Sequence, residues 1–128
     1  MARILIAEDE QPVRDLLARA LTMDGHEVES APDGAAALDQ IAAAGPFDLL
    51  LTDIRMPVMD GIALALSAAR DDPNLAIVLM TGYAGERERA QGLDALVYDV
   101  ILKPFSLGDM KNTLAAALAA RAAQPVSN

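Results

Sequence analysis

Five short apolar segments alternate with segments of helical periodicity along the 128 residues of this chain. The apolar segments are predicted strands, and they span residues 3–7, 26–31, 49–53, 76–81 and 98–102. Strands that alternate with helices predict an α/β domain with a parallel sheet. The third and fourth segments are apolar along almost their whole length, which is typical of strands buried on both faces.

The helical segments are bounded by residues that favour helix ends. Pro12 stands where a first helical residue is expected, and Gly25 follows the same helix in the position that often ends one. Asp60 is predicted to cap a helix that runs over residues 61–70. Ser106 and Asp109 have the spacing of a capping box, which predicts the start of a final helix.

Two stretches carry weaker structural signals, one after the fourth predicted strand and one at the C-terminal end. Residues 82–96 are polar and contain Gly92, so we predict a short, mobile helix there, with residues 86–89 on a solvated face. At 13.5 kDa the chain has the size of one domain, and we assign residues 1–122 to it. Residues 123–128 are predicted to form a flexible C-terminal tail.

Composition excludes several kinds of protein. The chain has no cysteine and one histidine, His26, which excludes disulfides, thiolate chemistry and multi-histidine metal sites. No apolar run reaches the length of about 18 residues that a membrane helix needs, so a cytoplasmic protein without a membrane partner is expected. The formal charge of −9 disfavours binding to nucleic acid.

The residues that directly follow the predicted strands suggest the chemistry. Glu8 and Asp9 follow the first strand, Asp53 and Thr81 end the third and fourth, and Lys103 follows the fifth. Ligands of open parallel sheets bind outside the carboxyl ends of the strands, so these side chains are expected to converge. Carboxylates suit Mg²⁺, and a lysine suits a phosphate oxygen. Asp53 is a candidate nucleophile, because a carboxylate can form an aspartyl phosphate.

The segments 4–10, 49–61, 80–83 and 102–105 resemble, in order and spacing, the motifs of CheY-like response regulator receiver domains. The resemblance covers residues 2–120. It implies a flavodoxin-like (βα)5 fold with strand order 2-1-3-4-5. It also implies that Asp53 is phosphorylated by a sensor histidine kinase or a histidine phosphotransfer protein. The chain would then be a switch that catalyses only its own phosphotransfer and autodephosphorylation.

The resemblance also implies a site, residue by residue. It assigns Mg²⁺ to Asp9, Asp53 and the backbone carbonyl of Arg55, with Glu8 acting through water. It assigns contacts with the phosphoryl group to Thr81 and Lys103. It further implies a cis peptide bond between Lys103 and Pro104, and it implies that Arg55 and Tyr83 gate the water that attacks the phosphate.

Two positions depart from the family pattern. The first acidic residue is Glu8, where receivers most often have aspartate. Val100 stands three residues before Lys103, where many receivers carry an aromatic switch residue, and the aromatic Tyr98 lies two residues earlier on the same predicted strand. The usual coupled rotation of threonine and aromatic residue therefore has no obvious counterpart here.

Several functions are compatible with these motifs. The chain ends near its last helix, so we expect a stand-alone receiver, a monomer or weak homodimer, that signals by binding an output protein through the fourth predicted helix, the fifth predicted strand and the last helix. The motifs around Asp53 and Lys103 resemble CpdR-like receivers, which act as adaptors of an ATP-dependent protease, and a phosphorelay role is the alternative within this class.

A Mg²⁺-dependent phosphatase with an aspartyl nucleophile is disfavoured by Arg55, since such phosphatases have a second aspartate two residues after the nucleophile. A flavodoxin-like cofactor binder is disfavoured by the acidic residues after strand 1.

Overall fold

A computed structural model of the chain describes residues 1–123 and contains a five-stranded parallel sheet in the order β2-β1-β3-β4-β5. The strands are β1 (Arg3–Ala7), β2 (Glu27–Ala31), β3 (Leu49–Asp53), β4 (Ala76–Thr81) and β5 (Asp99–Leu102). The helices are α1 (Gln11–Met23), α2 (Gly34–Ala44), α3 (Gly61–Asp71), α4 (Ala84–Ala90) and α5 (Leu107–Ala123). The predicted fold class and strand order are confirmed.

The predicted element bounds differ from the structure at a few ends. β2 and β5 each begin one residue later than predicted, because His26 and Tyr98 precede the paired residues. The imidazole Nδ1 of His26 instead accepts a hydrogen bond from the backbone N–H of Ala2, at 3.1 Å. Ala123, predicted to belong to the tail, is the last residue of α5, and the remaining tail residues 124–128 lie outside the described part.

Alternate residues of each strand face opposite sides of the sheet, as the strand period requires. One face, which carries Leu5, Leu50 and Ile77, packs against α2, α3 and α4. The other face, which carries Ile6 and Leu51, packs against α1 and α5. Because β3 and β4 are covered on both faces, all of their residues are buried, as their continuous apolar sequences predict.

The predicted helix ends are found with the expected local contacts. Gly25 follows α1 with φ +92°, a conformation that glycine adopts without strain. The Asp60 carboxylate accepts a hydrogen bond from the Ala63 N–H at 2.8 Å, and the Ser106 hydroxyl accepts one from the Asp109 N–H at 3.0 Å. These caps fix where α3 and α5 begin, and with them the loops at the carboxyl edge of the sheet.

The polar stretch after β4 contains the short helix α4, followed by a single 3₁₀ turn, Gln91–Leu93. Ala90 packs into the core on the α2 and α3 side of the sheet. Within residues 1–123, no helix combines the length and the apolar character needed to cross a membrane.

Candidate functional site

The acidic residues predicted at the strand ends meet at the carboxyl edge of the sheet. Glu8, Asp9 and Asp53 each place a carboxylate oxygen within 4.8 Å of the others. The Nζ of Lys103 lies 2.7 Å from Glu8 Oε1 and 3.2 Å from Asp53 Oδ2. Lys103 therefore donates to two of the three carboxylates, although it is separated from Glu8 by 95 residues of sequence.

Strand register explains this convergence. β1 lies between β2 and β3, and Ala7 pairs with Thr52, so Glu8 and Asp53 follow at the same level of neighbouring strands. On the other side of β4, Thr81 pairs with Leu102, and the Lys103 N–H then donates to the Thr81 carbonyl at 2.7 Å.

The peptide bond between Lys103 and Pro104 is cis, as the resemblance implies. A second cis peptide bond, between Gly45 and Pro46, was not predicted from the sequence.

Burial and charge differ among the three carboxylates. Glu8 is fully buried, and burial by itself would raise its pKa. The hydrogen bonds from the Lys103 ammonium and the Glu10 backbone N–H outweigh that effect and hold the pKa of Glu8 below its ordinary value. Burial raises the pKa of Asp9, and the neighbouring Glu8 carboxylate raises it further.

The pKa of Asp53 lies far from its ordinary value. Burial raises the pKa of Asp53 to about 6, with the Glu8 charge acting in the same direction and Lys103 opposing it. Asp53 is 8% exposed, so its carboxylate is shielded from bulk water yet still reaches the surface. Three carboxylates opposed by a single ammonium leave an excess of negative charge, which favours a bound cation.

The residues after β3 form a tight loop that returns to Asp53. The Ile54 N–H donates to the Met80 carbonyl at 2.9 Å, and the Gly61 N–H donates to the Ile54 carbonyl at 2.8 Å. Val58, at the tip, is 83% exposed and has φ 70°, a region that non-glycine residues rarely occupy. The loop thus brings the first residue of α3 back against the end of β3, next to Asp53.

Thr81 forms no hydrogen bond with the carboxylates of Glu8, Asp9 or Asp53. Its hydroxyl donates a hydrogen bond of 2.7 Å to Oε1 of Glu86, a residue of α4 that is 9% exposed. The Nε of Arg55 donates to the other oxygen of Glu86, at 2.9 Å. The prediction that residues 86–89 form a solvated helix face is therefore wrong at Glu86.

A signal for the burial of Glu86 was present in the sequence. Residues four apart lie on the same face of a helix, and Ala90, four residues after Glu86, is the apolar residue that α4 buries. A buried carboxylate on that face requires hydrogen-bond donors, which Thr81 and Arg55 supply.

The two residues predicted to gate water contact each other. The guanidinium carbon of Arg55 lies 3.9 Å from the centre of the Tyr83 ring, in a cation–π arrangement. Beside them opens a cleft of about 500 Å³, lined by residues of both charges, among them Asp9, Asp60, Arg55 and Arg89. Small ions can therefore approach the carboxylate cluster from this side.

Val100, the departure from the family pattern noted above, is an aliphatic side chain of β5. Val100 is partly buried on β5 and packs against the core on the α4 side of the sheet. Tyr98 precedes β5 and is 47% exposed. Neither residue takes part in the hydrogen bonds of Thr81 described above.

Comparison with known proteins gives a consistent result. The sequence profile of the response regulator receiver domain matches residues 4–115. The chain is 41% identical over 114 residues to the response regulator receiver protein CpdR of Brucella abortus strain 2308, covering 89% of this chain and 94% of that protein. It is 39% identical over 108 residues to the response regulator MprA of Mycobacterium avium strain 104, covering 84% of this chain and 47% of that protein. The chain thus spans about half the length of MprA.

A solved structure matches as well. The response regulator TrrA of Thermotoga maritima, determined in complex with Mg²⁺-BeF, superposes with a TM-score of 0.82 at 29% identity, covering 91% of this chain and 99% of that one. These matches do not favour the aspartyl-nucleophile phosphatase considered above.

Proposed function

The chain belongs to the response regulator receiver family, and on this premise we propose that Asp53 accepts a phosphoryl group from a sensor histidine kinase or a histidine phosphotransfer protein. The observation that carries the proposal is the placement of Asp53. Its shielded carboxylate shares the Lys103 ammonium with Glu8 at the carboxyl edge of the sheet. With a pKa of about 6, Asp53 is mostly ionised at neutral pH and can act as a nucleophile.

We propose that the carboxylate cluster holds Mg²⁺. The donors would be Asp9, Asp53 and the backbone carbonyl of Arg55, with Glu8 acting through water. The cluster offers hard oxygen ligands within 4.8 Å of one another and an excess of negative charge, and both features suit this ion. When bound, Mg²⁺ neutralises charge on the transferring phosphoryl group.

The protein side chains have distinct roles in this proposal. A carboxylate oxygen of Asp53 forms a bond to phosphorus while the bond from phosphorus to the histidine nitrogen of the donor breaks, and the nitrogen keeps the electron pair. The Lys103 ammonium, 3.2 Å from Asp53 Oδ2, is placed to stabilise the added negative charge. The Thr81 hydroxyl would donate a hydrogen bond to a phosphoryl oxygen. Arg55 and Tyr83 would control the access of water to the phosphoryl group.

The proposed outcome is a switch in protein binding rather than turnover of a substrate. Phosphorylation gives the modified side chain a charge of about −1.5 to −2 at neutral pH. That charge would shift an existing equilibrium between two arrangements of the surface formed by α4, β5 and α5. The output partner is a protein that distinguishes these arrangements.

Phosphorylation by a small-molecule donor tests the proposal. The protein should gain the mass of one phosphoryl group when it is incubated with acetyl phosphate and Mg²⁺, because the donor can replace the histidine partner. The gain should be lost in Asp53→Asn and when EDTA removes the metal. Intact-protein mass spectrometry measures both results. Asp39→Asn, which alters an exposed carboxylate of α2, is the matched control and should be phosphorylated normally.

Either of two results would contradict the proposal. One is no gain of mass in the folded wild-type protein. The other is a gain that persists at the wild-type level in Asp53→Asn or in the presence of EDTA.

We further propose that the output partner is an ATP-dependent protease, as for CpdR-like receivers. The similarity to CpdR over most of both chains supports this choice over a relay role. The unphosphorylated protein should be retained by the immobilised protease, and phosphorylation should weaken the retention. Absence of binding in both states, together with transfer of the phosphoryl group to a histidine phosphotransfer protein, would favour the phosphorelay role instead.

A further inference from the structure

The hydroxyl of Thr81 already has an acceptor. It donates its hydrogen to Glu86 Oε1 at 2.7 Å, and both residues are buried, with exposures of 1% and 9%. A hydroxyl has a single hydrogen to donate. Thr81 therefore cannot donate to a phosphoryl group on Asp53 while its bond to Glu86 is intact.

Glu86 is held from a second direction. The Nε of Arg55, in the loop after β3, donates to Glu86 Oε2 at 2.9 Å. One helical turn further along α4, Arg89 lies 3.3 Å from Oδ2 of Asp60, the residue that caps α3. Two ion pairs thus join α4 to the loop that follows Asp53. Of the two α4 residues, Glu86 also hydrogen-bonds to Thr81 of β4.

Resting on the function proposed above, we propose that Glu86 is a positioning residue that holds the Thr81 hydroxyl away from Asp53 and competes with the phosphoryl group for it. Phosphorylation would move the Thr81 hydroxyl away from Glu86 and break the hydrogen bond that joins these residues of β4 and α4. The aliphatic Val100 has no group that could bond to Thr81. Glu86 instead provides a side-chain connection from Thr81 to α4.

Binding of beryllofluoride, a phosphoryl analogue, with Mg²⁺ measures this competition directly. Removing Glu86 frees the hydroxyl, so Glu86→Ala should bind beryllofluoride about tenfold more tightly than wild type, the low end for a hydrogen bond to a charged acceptor. Glu88→Ala removes an exposed carboxylate from the same helix and is the matched control, with a change below about twofold because surface charges contribute little. Fluorine NMR titration gives the dissociation constants.

A double-mutant cycle separates competition from simple charge repulsion. If Glu86 acts through the hydroxyl, Glu86→Ala should have no effect on affinity in a Thr81→Val background, where no hydroxyl is present. Repulsion by the Glu86 charge would instead persist in that background. Tightening of equal size in both backgrounds, or no tightening in the wild-type background, would overturn the proposal.

Glu86→Gln supplies a second measurement if Glu86→Ala does not fold. Glutamine keeps an oxygen that can accept from Thr81 but loses the charge, and neutral acceptors form hydrogen bonds about half as strong as charged ones. We expect about threefold tighter binding that disappears with Thr81→Val. An unchanged dissociation constant would contradict the proposal. Failure of wild type to bind beryllofluoride with Mg²⁺ would refute the proposed function itself, and this inference with it.

Discussion

Replacing Lys103 with methionine is expected to lower the free energy of unfolding by about 3 kcal/mol, because it leaves a buried carboxylate without its partner. Glu8 is fully buried, and the ammonium of Lys103 lies 2.7 Å from it. The same substitution removes the cation beside Asp53. The rate of phosphoryl incorporation from acetyl phosphate should fall by about a hundredfold, the usual effect of removing one group that stabilises developing charge.

Urea denaturation in EDTA measures the first effect, and the time course of phosphorylation measures the second. Lys111→Met is the matched control, since Lys111 pairs with Asp24 at 3.2 Å where both side chains are partly exposed. Such a surface pair contributes less than about 1 kcal/mol. If both variants lost the same stability and both phosphorylated at the wild-type rate, the role assigned to Lys103 would be wrong.

Gly61→Ala is expected to destabilise the protein by about 3 kcal/mol, at the upper end of the range for overpacking. A Cβ at position 61 would overlap the carbonyl oxygen of Asp53. It would also lie 2.9 Å from the carbonyl carbon of Asp53 and 3.0 Å from the Cα of Ile54. These are backbone atoms, which cannot move aside as a flexible side chain can. The strain would therefore fall on Asp53, the proposed phosphoacceptor, so phosphoryl incorporation should fall as well.

Gly85→Ala is expected to have the opposite effect on the stability of the protein. Gly85 lies in α4, and a Cβ there meets no atom within 4 Å. Alanine should stabilise the helix by about 0.5 kcal/mol relative to glycine. Thermal and urea unfolding of the two variants should thus shift in opposite directions. A loss of stability as large in Gly85→Ala as in Gly61→Ala would show that the close approach of Gly61 to Asp53 is not what matters.

Much of the fold could be predicted from the sequence because local signals and topology agree. β1, β3 and β4 are apolar runs that end at or just before a charged or hydroxyl residue, so their bounds were predicted correctly. Once the strands are parallel, the rule that ligands bind at their carboxyl ends brings Glu8, Asp53 and Lys103 together. No local signal connects Lys103 with Glu8. The topology makes that connection.

The spacing of Glu86 and Ala90 indicates the buried face of α4, but the hydrogen bond from Thr81 to Glu86 could not be predicted from the sequence. Glu86 belongs to a short polar helix, and its inward direction depends on Arg55, which lies 31 residues earlier in the sequence. A carboxylate in such a segment is usually solvated, and only tertiary contacts reverse that preference. The cis peptide bond before Pro46 could not be predicted either, since the surrounding structure decides which isomer is present.

Chemical trapping of the phosphoryl group shows directly whether Asp53 is the phosphoacceptor. Borohydride reduces an aspartyl phosphate to homoserine, which peptide mass spectrometry can assign to a position in the sequence. After treatment with acetyl phosphate and Mg²⁺, we expect homoserine at position 53 and at no other aspartate. Homoserine at a different aspartate, or none in protein that has gained the mass of a phosphoryl group, would contradict this expectation.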